Sequence, residues 1–129
     1  PGIFTLTANG RGQGAILNQD YSVNSAGNPA PRGSVVQVYA TGAGQTSPGG
    51  TDGRVLRSGT LPKPTQTVTA TIGGVAATVL YAGGAYNLVS GVVQVNVRIP
   101  DSVTPGSAVP IVIKVGNNSS QPDVTLAVK

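Results

Sequence analysis

Few side chains in this 129-residue chain are able to do chemistry. Cys, His, Met, Trp and Glu are absent, which removes thiolate nucleophiles, imidazole bases, zinc sites built on Cys or His, and glutamate acid–base pairs. The acids are Asp20, Asp52, Asp101 and Asp123, too far apart in sequence to suggest a carboxylate pair. Asp52-Gly53 could offer calcium one carboxylate, yet hard cations take about six to eight oxygens and no second acid is near, so a turn is favoured. A Ser–Lys dyad needs a lysine whose pKa burial has lowered, and Lys63, Lys114 and Lys129 fall in loops or on outward strand positions. Gly10-Arg11-Gly12-Gln13-Gly14 lacks the spacing and the following helix of a phosphate loop, and reads as a turn. The expectation is no catalytic residue, no metal and no cofactor.

Binding chemistry is only a little richer. Eight Lys and Arg give a net charge of +4, but they are scattered from Arg11 to Lys129, with only Arg54, Arg57 and Lys63 close together. No aromatic-rich strand accompanies them, so nucleic acid is not an expected partner. Tyr81 and Tyr86, beside Gly83-Gly84, could form a small sugar-stacking platform; tyrosines placed so also seal the ends of sandwiches. Asn117-Asn118-Ser119-Ser120 contains two overlapping glycosylation acceptors, Asn117 and Asn118, in residues that are ordinary turn formers as well. No stretch approaches the roughly 20 apolar residues that span a bilayer, and no signal-peptide pattern opens the chain. An opening at Pro1 reads as a processed or excised product.

The elements that must position these residues are strands. Val, Ile and Thr make 38 residues, while 19 Gly and 10 Pro fall between apolar runs and mark turns. From Val92 to Ile99, Val93, Val95, Val97 and Ile99 point to a core while Val92, Gln94, Asn96 and Arg98 point to water. Val68, Ala70 and Ile72 alternate with Thr67, Thr69 and Thr71, then Gly73-Gly74 forms a two-residue hairpin turn, and Val75, Ala77, Val79 and Tyr81 return inward. Further strands are expected at Ile3 to Thr7, Gln13 to Leu17, Ser34 to Thr41, Val109 to Val115 and Val124 to Val128, the last two joined through Gly116-Asn117-Asn118. The long Gly42 to Pro64 stretch is a functional or mobile loop, or hides an edge strand around Arg54 to Arg57. The sum is one all-β domain over residues 1–129, an immunoglobulin-like antiparallel β-sandwich of seven to nine short strands.

Several segments carry a family resemblance. Pro1-Gly2-Ile3-Phe4-Thr5, the run Asn28 to Val36, the run Tyr39 to Gln45, Ile72-Gly73-Gly74 with Tyr81-Ala82-Gly83, and Gln94 to Pro100 together resemble the Solibacter-type C-terminal domain. That module closes many large secreted proteins of acidobacteria. The resemblance implies an extracellular or cell-surface immunoglobulin-like domain and no catalytic residues.

Two functions fit this reading. The first is a non-catalytic structural module that self-associates into a surface polymer or filament, or packs on neighbouring surface domains, through strand edges. Its contact is the strand Ile3, Phe4, Thr5, Leu6 and Thr7, with Phe4 and Leu6 as apolar anchor. The alternative is a carbohydrate-binding accessory domain of a secreted protein, with glycans as partners.

Overall fold

The computed structural model describes residues 1–47, 49, 55 and 61–129, and among them every regular element is a strand. In chain order these are β1 (Gly2–Ile3), β2 (Gly12–Gln13), β3 (Ile16–Leu17), β4 (Val35–Thr41), β5 (Thr46–Ser47), β6 (Lys63–Pro64), β7 (Val68–Ile72), β8 (Val75–Gly83), β9 (Val92–Arg98), β10 (Gly106–Val115), β11 (Asn118–Ser119) and β12 (Val124–Val128). The all-β class holds. The described strands outnumber the seven to nine expected because half of them are two-residue ladders that alternation cannot reveal. No helix of the described residues is long and apolar enough to cross a membrane.

The sheet differs from two separate layers. Hydrogen bonds run β1-β4-β9-β8-β7-β10-β12-β2, with β3 beside β4 and β11 beside β10, to give one curled mixed sheet; β5 and β6 form a small second sheet. One cause is β10, whose Ile111–Val115 half pairs with β7 while its Gly106–Pro110 half pairs with β12. A second is β2, which runs parallel to β12 and so breaks the antiparallel pattern.

Period-two alternation builds the core. Val36, Val38 and Ala40 of β4, Val93, Val95 and Val97 of β9, and Ile111, Ile113 and Val115 of β10 are buried, as are Ile99 beyond β9 and Leu126 of β12. Each such aliphatic side chain stabilises the fold by about 1.5–3 kcal/mol on burial. The β7–β8 hairpin turns at Gly73 (φ 59) and Gly74 (φ 77), the two positive φ values that a type I′ turn requires. The β10–β11 hairpin turns through Gly116 and Asn117.

One inward assignment is corrected. Val79 pairs with Val97, but the next pair along β8 is Tyr81 with Asn96, leaving Leu80 as a bulge. The inserted residue reverses the phase, so Tyr81 faces outward with Asn96 while Ala82 packs on the core.

The N-terminal segment draws the two ends of the sheet path together. Phe4 N–H donates to Tyr39 O of β4 (3.0 Å), while Ala15 N–H donates to Phe4 O (2.7 Å) and Leu6 N–H to Gln13 O (3.0 Å). The expected Gln13 to Leu17 strand is therefore split: β2 lies against β12 and β3 against β4. Gly14 sits at the crossing, where a Cβ would stand 2.8 Å from Ile16 Cδ1 and 3.2 Å from Val124 Cγ1. Near the other end, buried Asn24 accepts from Ala127 N–H (2.8 Å) and donates to Ala127 O (2.9 Å).

Candidate binding face

The core-facing residues of β4, β9 and β8 fix by alternation what the opposite face presents. Register sets Tyr39 beside Gln94 beside Gly83 in one row, and Gln37 beside Asn96 beside Tyr81 in the next. Gln94 Nε2 donates to Asn96 Oδ1 (2.9 Å), and Tyr39 Oη stands 3.4 Å from Gln37 Oε1. Val35, Arg98 and Thr78 make a third row, in which the Arg98 guanidinium donates to Gly33 O (3.0 Å).

Tyr39 and Tyr81 stand in these rows, and Tyr21 and Tyr86 lie near enough to act on them electrostatically, Tyr21 on Tyr39 and Tyr86 on Tyr81. Burial, then the neighbouring Tyr21, push the Tyr39 phenol above its ordinary value; burial, then Tyr86, do the same to Tyr81. Tyr81 is braced. Its hydroxyl donates to Gly84 O (2.5 Å) and Lys63 Nζ lies 5.6 Å from its ring centroid. Tyr21 is displayed: it is 70% exposed and held at φ 68, a strained conformation for a bulky residue. The turn that holds it has Tyr21 N–H donating to Asn18 O (2.9 Å), with Ser22 donating to Asp20 Oδ1 through both its hydroxyl (2.5 Å) and its N–H (3.0 Å). The Ser22 hydroxyl and amide hold the Asp20 carboxyl below its ordinary value.

Beyond Tyr39 the same face becomes apolar. Ile3 and Ala40 pair inward, so Phe4 next to them points out; Thr5 pairs inward with Gly14, so Leu6 points out beside Gln13. Leu17, opposite Gln37, and Val23, bridged to Leu17, continue the corner. Phe4 is 41% and Leu6 51% exposed.

At the far end of β4 and β9 the face runs into a cleft of about 510 Å³, whose lining includes Thr41, Gly42, Gln45, Pro62, Gly84, Ser90 and Val92. None of its described lining residues is ionisable, so it offers hydrogen bonds and shape but no acid or base. No family model, curated protein or solved structure matches the chain. The reading of the site therefore rests on its geometry.

The residues singled out from sequence fall as follows. Ile3 and Thr5 are buried and their segment is paired within its own sheet, while Phe4 and Leu6 face out. Tyr81 and Tyr86 are neighbours, as a platform needs, though Lys63 covers one face of Tyr81. Asn117 and Asn118 are both exposed; Ser119, two after Asn117, is exposed, whereas Ser120, two after Asn118, is buried with its hydroxyl accepting Ile113 N–H (2.9 Å). Gly10 to Gly14 make a turn into β2, with Gly12 N–H donating to Asp123 O. The Gly42 to Pro64 stretch is closed at its base by β5 and β6. Asp52, Arg54 and Arg57 lie outside the described residues; Val55 between them bridges to Val89. Sequence reasoning missed Gln37, Tyr39 and Tyr21. The available signal was the outward set of β4, which alternation defines as surely as the inward one.

Proposed function

We propose that this chain is a non-catalytic structural module of the cell exterior that associates with copies of itself through the apolar corner of its outer face. The carrying observation is that Phe4, Leu6 and Val23, three of the seven large hydrophobic side chains exposed among the described residues, lie on this one corner. Contiguous exposed apolar side chains mark interaction surfaces. The backbone of the same segment is occupied within its own sheet, so the contact uses side chains and leaves the strand paired at home. Resemblance to the Solibacter-type C-terminal domain supports the extracellular setting, and supports reading the curled sheet as a relative of the immunoglobulin-like sandwich.

Sedimentation velocity and negative-stain microscopy of wild type and of the Phe4→Ser, Leu6→Ser double variant test this. The wild type assembles with rising concentration, and the double variant remains monomeric with an unchanged thermal midpoint. A wild type that is monomeric at every concentration, or a variant that assembles equally well, refutes it.

A further inference from the structure

We infer that the tyrosine-flanked amide band on the outer face of β4, β9 and β8 is a binding site for an uncharged oligosaccharide. The inference goes beyond self-association and stands on different residues.

The amides carry the first part of the argument. Gln94 and Asn96 hydrogen-bond each other once, and Gln37 meets Tyr39 through its oxygen. Gln94 Oε1, Asn96 Nδ2 and Gln37 Nε2 have no protein partner among the described residues, so an acceptor and two donors face outward side by side. A sugar hydroxyl is both donor and acceptor, and vicinal hydroxyls match adjacent amides. All three side chains are half-buried, which restricts their rotamers before a ligand arrives.

The tyrosines carry the second part. Tyr39 and Tyr21 stand at one end of the band and Tyr81 and Tyr86 at the other. Aromatic rings offer flat apolar surface to the C–H face of a pyranose, and two χ angles make that surface cheap to order. From β4 to β8 is two strand spacings, about 10 Å, longer than one sugar ring. The ligand is therefore a chain lying across the strands.

The amides themselves favour an uncharged ligand. The band itself has no carboxylate or ammonium group. Arg98, one row away, is engaged with Gly33 O, and Lys63 is stacked over Tyr81 at the margin. Anionic sugars would find no counter-charge on the amides, whereas a neutral glycan leaves no unpaired charge behind. Continuity with the uncharged cleft at Thr41 and Val92 extends the same chemistry.

Affinity electrophoresis and tyrosine-fluorescence titration test this, since the chain has no Trp to mask tyrosine emission. The probes are mixed-linkage β-glucan, xyloglucan, arabinoxylan and galactomannan, with polygalacturonate and alginate as anionic comparisons. At least one neutral polymer retards the wild type. Tyr39→Ala and Gln94→Ala each weaken binding by about tenfold. Tyr21→Ala weakens it without lowering the thermal midpoint, because that ring is largely in solvent. The Phe4→Ser, Leu6→Ser variant binds as wild type, which separates this site from the self-association corner. Absence of binding to every neutral polymer, binding to anionic polymers alone, or full affinity in Tyr21→Ala and Gln94→Ala overturns the inference.

Discussion

The Gln121 side chain holds the backbone of Ile3 from both sides of its amide: Ile3 N–H donates to Oε1 (2.9 Å) and Nε2 donates to Ile3 O (2.7 Å). One side chain thus does for Ile3 what a neighbouring strand would do, and leaves neither main-chain group of Ile3 free at this edge. Gln121→Ala strands both groups beside a buried side chain and costs about 2 kcal/mol, read as a lower urea midpoint at constant m-value. Gln121→Glu keeps the acceptor, loses the donor, and falls between the two.

Asn24 makes the same grip on Ala127 but in the interior, and it also donates to Asn18 Oδ1 (2.9 Å) and accepts from Gln13 Nε2 (3.0 Å). Asn24→Ala orphans several buried polar groups and destabilises by about 3 kcal/mol. Asn24→Asp is worse at neutral pH, since a carboxylate meets two acceptors that it cannot satisfy. Equilibrium denaturation of both variants checks the order.

Gly83 is glycine because of what lies above it. A Cβ there would stand 2.7 Å from Tyr81 Oη and 2.9 Å from Pro62 O, which already accepts from Gly84 N–H. Gly83→Ala displaces the Tyr81 hydroxyl from Gly84 O and costs about 1–3 kcal/mol. The alkaline absorbance titration checks this: burial is the main cause that raises the Tyr81 pKa, so a ring pushed out toward water ionises closer to its ordinary value of 10.0.

Acid loosens the turn that displays Tyr21. The folded Asp20 carboxyl is more acidic than the unfolded one, so its contribution is present above the ordinary value of 3.8 and is lost as pH falls through the depressed folded value. Amide resonances of Tyr21 and Ser22 shift in that window, and Asp20→Asn abolishes the shift.

The strands that carry the core were legible because Val93, Val95, Val97 and Ile99 alternate cleanly, and so do Val68, Ala70 and Ile72. The two glycines between Ile72 and Val75 marked the hairpin for the same local reason. What stayed hidden depends on partners remote in sequence. Nothing near Leu80 marks it as a bulge; only its failure to pair with β9 does, and that failure turned Tyr81 to the outside. The split of Gln13 to Leu17 between β12 and β4 is equally a property of two distant strands. The binding face was half visible: Gln94 and Asn96 were readable as outward, but their rows with Tyr39, Gln37 and Tyr81 exist only once β4, β9 and β8 are in register.

The tie between Ile3 and Gln121 spans 118 positions, and that has a consequence in time. A chain made from its N-terminus at about 5–20 residues per second waits on the order of ten seconds between the two. Throughout that interval β1 has β4 on one side, but the Ile3 N–H and C=O on the other side wait for Gln121, and β2 awaits β12 as well. The sheet therefore completes as a late, single event, governed by long-range closure and slow for its size. A nascent chain halted before Gln121 lacks this closure and is a substrate for proteases and chaperones.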